Sequence, residues 1–234
     1  MTVKISSEKR KKFDEERARQ ILAFFFPDKY SDSFLSERPD IVNKKLGIGV
    51  EVTNSQNPYI HEGLSRASSI TGKREEELSW IDKENIRKQN IFVDILPEGQ
   101  FLAGMTFWGS TDDFMNIFDK KTKSLNNAGF QIFKSNNLFI FAWMVDKEEI
   151  SEFISTLKLR LNASNQLKEM NNQNKVESLN FDFVYVFNEH TLQEICLSDI
   201  TVYEYFMDEQ AMTVISENSF EKIIGKKRKE FYNR

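Results

Sequence analysis

Two carboxylates lie in neighbouring segments of the chain that otherwise have the composition of β-strands. Asp40 and Glu51 fall within ERPDIVNKKLGIGVEVTNS, residues Glu37 to Ser55. If these segments form a hairpin centred just after Lys45, Asp40 lies directly opposite Glu51. Opposed residues of an antiparallel pair have Cβ atoms roughly 5 Å apart, and like charges there are destabilising unless a cation or a proton lies between them.

This pairing favours a site for a hard divalent cation, because carboxylate oxygens are the ligands that Mg²⁺ and Mn²⁺ prefer. A bound metal ion lowers the pKa of its water ligand and neutralises charge that builds on a phosphate, so the pair predicts metal-dependent phosphodiester hydrolysis. The alternative is structural: Asp40 caps a turn and Glu51 is a strand residue that faces solvent. A slip of one residue in the hairpin register would place the two acids on opposite faces.

The surrounding residues predict the elements that must position the pair. Apolar residues at helical spacing indicate a helix from Ser7 to Phe26, with Ser7 as its N-cap and Pro27 at its end. The run LFIFAWMV, Leu138–Val145, is apolar on both faces, which is typical of a central strand. The other expected elements are a charged, mostly helical segment at 59–90, strand-like runs at 91–96 and 101–107, helices at 110–129, 147–167 and 219–232, a strand at 181–188 and a short edge strand at 191–197. This order predicts an α/β fold in which helices flank a mixed central sheet.

The composition narrows the range of chemistry and of partners. The 234-residue chain has one cysteine and two histidines, which excludes an intramolecular disulfide, a cysteine-based zinc cluster and a histidine-rich metal site. Its net charge is −4, so nucleic acid must be bound through local basic patches; Glu8–Lys12 and Lys226–Lys229 are candidates, although charge runs at helix ends are more often solvated faces. Residues 1–20 are too polar for a signal peptide and no apolar run approaches about 18 residues, so we expect a cytoplasmic protein without membrane contact.

The stretch around the two acids resembles the PD-(D/E)xK nuclease superfamily, which has the restriction-endonuclease-like fold. Pro39-Asp40 is similar to the PD element, and Glu51-Val52-Thr53 falls where the (D/E)xK element is expected. The family core is a helix, a strand hairpin that carries the acids, and then a helix, a strand, a helix and a strand; the order from Ser7 to Asn188 fits this plan. The resemblance implies one such domain over residues 1–234, with a charged helical insertion around 56–90.

One position departs from the family motif. The family has lysine two residues after the second acid, where this chain has Thr53, and a hydroxyl group cannot supply a cation. Some members of the superfamily take the lysine from the next core helix, and Lys121 lies on the apolar stripe of the helix expected there. The alternative for Lys121 is that its stem packs on the stripe while its ammonium reaches water.

The resemblance also implies a role for each site residue. Asp40, Glu51 and the main-chain carbonyl of Val52 hold Mg²⁺ or Mn²⁺, and Lys121 assists the attacking water or the scissile phosphate. The first helix of this fold often adds a glutamate, and Glu15 is the acid of the FDEER run that shares a face with apolar residues of that helix. The alternative is that all three acids of this run are solvated surface charges.

Three functions remain in competition at this stage. The leading hypothesis is a metal-dependent nuclease that hydrolyses phosphodiester bonds in DNA. The second is a catalytically inactive nuclease-like module that binds nucleic acid or a protein partner, which Thr53 and the acidic net charge both favour. The third is a protein-interaction domain without any link to nucleic acid. The sequence leaves open whether the substrate is DNA or RNA and whether the chain forms a homodimer.

Overall fold

The computed structural model describes residues 6–55, 58–88, 91–105, 111–127, 129–142, 145, 147–171 and 181–225. The helices are α1 Ser7–Phe25, α2 Pro27–Tyr30, α3 Pro58–Ile70, α4 Trp80–Lys88, α5 Thr111–Leu125, α6 Lys147–Asn171 and α7 Glu209–Ile224, with a 3₁₀ turn at Glu75–Glu77. The strands are β1 Phe34–Leu35, β2 Ile41–Asn43, β3 Ile48–Asn54, β4 Ile91–Ile95, β5 Phe101–Met105, β6 Ser135–Phe141, β7 Phe183–Asn188, β8 Thr191–Cys196 and β9 Val202–Phe206. The chain divides into two compact units, Met1–Ser55 with Phe114–Arg234, and Gln56–Asp113.

The first unit is built on a mixed seven-stranded sheet in the order β1-β2-β3-β6-β7-β8-β9. Strands β3, β6 and β7 run parallel to one another, and the remaining pairs are antiparallel. The predicted α/β fold with a mixed central sheet is therefore confirmed. The strand predicted in LFIFAWMV is central as well, as β6, and its described part ends at Phe141; Trp143 and Met144 lie outside the described residues. The prediction of an edge strand at 191–197 is wrong, because β8 pairs with β9 on its outer side.

Helices cover both faces of this sheet, as the alternation of apolar residues along the strands requires. On one face, α1 and α7 pack over β3, β6 and β7 through residues that include Ala18, Ile21, Leu22, Val50, Val52, Phe139 and Ile215. On the other face, α5 and α6 pack over β6, β7 and β8 through residues that include Phe114, Phe118, Leu125, Leu138, Ile140, Val184, Phe153, Leu157 and Ile195. A strand residue that is polar, like Glu51, is thus carried under a helix and not into solvent.

Two helix ends differ from the sequence-based expectation. The N-cap of α1 is Ser6 and not Ser7, because the Ser6 hydroxyl accepts a hydrogen bond from the Lys9 amide at 3.3 Å. Helix α7 begins well before Ser219, at a cap in which the Asp208 side chain accepts from the Ala211 amide at 2.7 Å. The basic run Lys226–Lys229 lies outside the described residues.

The second unit has its own small core. Its β4–β5 hairpin and α3 contribute Ala67, Ile70, Ile91 and Phe101 to one buried cluster. The charged segment expected around 56–90 lies inside this unit, which runs on to Asp113. Across both units, none of the helices in the described ranges is long and apolar enough to cross a membrane.

The β2–β3 hairpin that carries the acids depends on a glycine. A Cβ atom on Gly49 would lie 2.7 Å from Cγ of Pro39 and 2.8 Å from Cδ2 of Phe133. Such distances are far inside van der Waals contact, so the residue before Asp40 packs directly against the bare backbone of β3. Gly49 therefore sets how closely the acid-bearing segment approaches the sheet.

We expect Gly49→Ala to lower the free energy of unfolding by about 1–3 kcal/mol, the usual cost of an added methyl group in a tightly packed site. The measurement is urea denaturation of the two proteins under identical conditions. Unchanged stability would mean that Pro39 and Phe133 move aside freely, and that the hairpin is not held by this contact.

Candidate active site

The β2–β3 hairpin brings the two acids to one cavity. Val42 pairs with Gly49 and Ile41 with Val50, as predicted, and Asp40 comes one residue before the start of β2. Both side chains are almost fully buried, with 2% of Asp40 and 7% of Glu51 exposed, and both line the same cavity of about 350 Å³. The alternative in which Glu51 faces solvent is therefore wrong.

Backbone hydrogen bonds fix the orientation of Asp40. Its Oδ2 atom accepts from the Val52 amide at 2.8 Å, and its own carbonyl accepts from the Ser36 amide at 2.8 Å. Strand β2 begins only at Ile41, so the Asp40 side chain takes the place of a strand partner for Val52. The N–H and C=O groups of one strand residue point to the same side, so the Val52 carbonyl is also directed toward Asp40.

The lysine on the apolar stripe of α5 reaches the second acid. The ammonium of Lys121 donates to Oε2 of Glu51 at 2.7 Å, and only 24% of the lysine side chain is exposed. The buried neighbours Phe118 and Leu125 hold this face of the helix against the sheet, which directs Lys121 into the cavity. The ammonium of Lys121 therefore contacts a carboxylate, whereas the alternative predicted that it would reach water. Thr53, and not a lysine, lies two residues after Glu51 on the same strand. The cation that contacts Glu51 therefore comes from α5.

The first helix contributes Glu15 and an additional lysine to the site. The ammonium of Lys11 lies 3.1 Å from Oε1 of Glu15 and 3.3 Å from Oδ1 of Asp40. Burial, together with the negative charge of Asp40, raises the pKa of Glu15 to about 7. Glu16 points elsewhere, to Arg19 and Lys222. The alternative that the acids of this run are all solvated is wrong, because Glu15 and Glu16 are both buried.

The remaining cavity walls are polar and carry both signs of charge. The other lining residues are Glu37, Arg38, Ser124, Asn127 and Phe130. Ser124 and Asn127 also line an adjoining cavity of about 500 Å³, where the exposed lysines Lys120 and Lys123 lie. Cationic groups therefore surround the acid pair and continue along the outer side of α5.

The donor set suits a hard cation that keeps part of its hydration shell. No group of three or more His, Cys, Asp and Glu side chains that could hold a metal ion occurs among the described residues. Mg²⁺ is commonly held by one or two carboxylates together with water and substrate phosphates, so it does not need such a group. Asp40, Glu51 and the Val52 carbonyl supply two carboxylates and one further oxygen, which fits Mg²⁺ or Mn²⁺.

Comparisons of this chain with protein-family models, with curated proteins and with solved structures give no match. The resemblance to PD-(D/E)xK nucleases thus remains a prediction from the motif and from the order of elements. Of the residues that it implies, the structure places Asp40, Glu51 and Lys121 around one cavity and links Glu15 to Asp40 through Lys11. Lys11 was missed as a site residue, although its position four residues before Glu15 was a signal that the two share a helix face.

The pKa of Glu15 leads to a testable pH dependence. A carboxyl group whose pKa is about 7 in the folded protein, against 4.5 as its ordinary value, binds its proton more tightly when folded. Its contribution to stability is present at low pH and is lost as the pH rises from about 4.5 through 7. We expect the metal-free protein with Glu15→Gln to lose less stability over this range than the wild type.

Thermal unfolding in EDTA at pH 5, 6, 7 and 8 measures the effect. Glu8→Gln is the control, because Glu8 is an exposed glutamate of the same helix, paired with Lys12. Asp14 contributes to both proteins in the same direction, since burial raises its pKa to about 6, so the difference between wild type and variant isolates Glu15. Equal slopes for wild type and Glu15→Gln would contradict the assignment.

Proposed function

We propose that this protein is a metal-dependent nuclease that hydrolyses phosphodiester bonds in DNA. The observation that carries the proposal is the cavity lined by two buried acids, Asp40 just before β2 and Glu51 in β3, where a lysine from α5 donates a hydrogen bond to Glu51. Burying two carboxylates in one cavity costs stability, and apolar residues at these positions would stabilise the fold more. A catalytic use for the charges accounts for their presence.

Asp40, Glu51 and the Val52 carbonyl would hold Mg²⁺ or Mn²⁺ in this cavity. When bound, such an ion supplies a water of lowered pKa and neutralises charge on the phosphate. The protein fixes these donors before any substrate arrives: the Val52 amide holds Asp40 by a hydrogen bond, and α5 covers Glu51. Donors that are already in place need little reorganisation during the reaction.

Lys121 takes the role that Thr53 cannot fill. Its ammonium lies at the wall of the cavity next to Glu51, where little of the lysine is exposed and a positive charge is therefore weakly screened. From this position it would orient the attacking water or stabilise the negative charge that develops on a phosphate oxygen. Packing of α5 on the sheet keeps the ammonium at this place.

The cations around the acid pair favour a polyanionic substrate. Arg38 lines the same cavity, and the exposed side chains of Lys120 and Lys123 line the adjoining one. Lysine and arginine contacts with successive phosphates supply most of the affinity in sequence-independent binding, even when the net charge of the protein is negative. A DNA backbone that crosses the acid pair would meet these cations on its way over α5.

The test is incubation of the purified chain with double-stranded and single-stranded DNA and with RNA, in Mg²⁺, in Mn²⁺ and in EDTA. The proposal predicts cleavage of DNA that requires the metal ion and is lost with Asp40→Ala or Glu51→Ala. Cleavage that is unchanged in both variants would overturn it. Preferential cleavage of RNA would keep the chemistry and change the substrate.

The second candidate is an inactive nuclease-like module that binds nucleic acid. The observation that favours it is Thr53 at the position of the motif lysine. Titration calorimetry with Mn²⁺ separates the two candidates. Binding that Asp40→Ala removes supports the nuclease, whereas DNA affinity without metal binding supports the module.

A further inference from the structure

Lys11 contacts two buried acids of the site at once, whereas a lysine in an ordinary surface ion pair contacts one exposed acid. Its ammonium contacts both Oε1 of Glu15, at 3.1 Å, and Oδ1 of Asp40, at 3.3 Å. The acids are buried, yet 65% of the lysine side chain is exposed. A flexible cation thus approaches two fixed carboxylates from the solvent side of the cavity.

The contact engages the oxygen of Asp40 that does not accept the hydrogen bond from Val52. Oδ2 accepts the hydrogen bond from the Val52 amide, and this bond ties Asp40 to β3. Lys11 contacts the other oxygen, Oδ1, and both residues line the cavity. A metal ion that binds Oδ1 would lie close to the Lys11 ammonium, so repulsion between the two cations opposes metal binding while the lysine stays in place.

The negative charges of Glu15 and Asp40 also favour a cation at this place. Two carboxylates in close proximity are destabilising unless a cation or a proton lies between them. A lysine tethered four residues before Glu15 on the same helix provides that cation at a high local concentration. A dication at the same place would be repelled by the ammonium until the lysine swings away.

We propose that Lys11 is a built-in counter-ion that competes with the divalent metal for Oδ1 of Asp40 and leaves the acids when the metal binds. The inference rests on the metal site of the proposed function. It adds that the affinity of Asp40 for metal is lowered by a residue that does not bind the metal.

Titration calorimetry with Mn²⁺ tests the competition directly. We expect Lys11→Met to bind Mn²⁺ roughly three- to tenfold more tightly than the wild type, since the free energy of two partly exposed ion pairs no longer opposes binding. Lys12→Met is the matched control, because Lys12 is exposed on the same helix but pairs with Glu8, away from the cavity. It should bind Mn²⁺ with wild-type affinity.

Melting temperatures give a second readout that does not depend on activity. Without metal, Lys11→Met should melt below the wild type, and saturating Mn²⁺ should raise its melting temperature by a larger amount than in the wild type. Lys11→Gln, which also removes the charge, should behave in the same way and guards against an effect of the methionine side chain itself.

The outcomes separate this inference from the proposed function. If the wild type binds Mn²⁺ and Asp40→Ala does not, the metal site stands; Lys11→Met with unchanged or weaker affinity then overturns the competition alone. If neither the wild type nor any variant binds Mn²⁺, the metal site and the competition both fall.

Discussion

Asp40→Asn should reduce Mg²⁺-dependent DNA cleavage by at least roughly a hundred- to a thousandfold, the loss that follows removal of one preorganised electrostatic group from an active site. The change removes the negative charge and keeps the shape of the side chain. The asparagine carbonyl oxygen can still accept the hydrogen bond from the Val52 amide, so the hairpin should remain in place. The loss should therefore appear in kcat, with little change in melting temperature.

Initial rates of cleavage at saturating DNA, with circular dichroism to monitor folding, measure this effect. Asp32→Asn is the matched control, because Asp32 is an exposed acid of the same unit and carries the same charge change. It should cleave at the wild-type rate. An Asp40→Asn protein that is folded and cleaves DNA normally would remove Asp40 from the mechanism.

Lys121→Met should also reduce cleavage by roughly a hundred- to a thousandfold, but without loss of metal binding. On the proposed function, the lysine is expected to act on the water or the phosphate, whereas Asp40 and Glu51 are expected to hold the metal ion. Removal of the ammonium leaves the buried carboxylate of Glu51 without its 2.7 Å partner, so the affinity for Mn²⁺ should be maintained or increased. The two variants therefore differ in binding while both lose activity.

Lys123→Met provides the comparison for this variant. Lys123 lies on the same helix, is exposed and lines the adjoining cavity and not the one with the two acids, so its loss should weaken DNA binding modestly and leave kcat unchanged. Calorimetry with Mn²⁺ and cleavage rates at saturating DNA distinguish the two effects. Equal behaviour of the two lysine variants would mean that Lys121 contributes only charge.

Much of the fold follows from local patterns. Strict alternation around GIGVEV argues against a one-residue slip of the hairpin, because such a slip would turn Val50 and Val52 away from the core under α1. The unbroken apolar run at 138–145 identifies the central strand, because a strand that is covered on both faces carries apolar residues at successive positions. The edge strand β9 was missed because VYEYF combines exposed aromatic residues with a charge, and only its pairing with β8 shows its role.

The site is predictable to a smaller extent. The acids stand out because charges interrupt apolar strands, and Lys121 stands out because it interrupts an apolar helix stripe. Lys11 interrupts no apolar pattern: its spacing from Glu15 places the two on one helix face, but it belongs to a basic run in the first turns of α1, and such runs are usually solvated. Its role depends on how α1 crosses the acid-bearing segment, and that depends on tertiary packing in the core under α1.

The order of the site residues along the chain has a consequence for biosynthesis. Lys121 follows Glu51 by 70 residues, and the whole second unit, Gln56–Asp113, is translated between them. A ribosome therefore releases the acid-bearing hairpin and Lys11 long before α5 emerges. A chain that ends before α5 would lack both Lys121 and β6, the strand that pairs with β3 along its whole length. On the proposed function, such an incomplete chain should not cleave DNA.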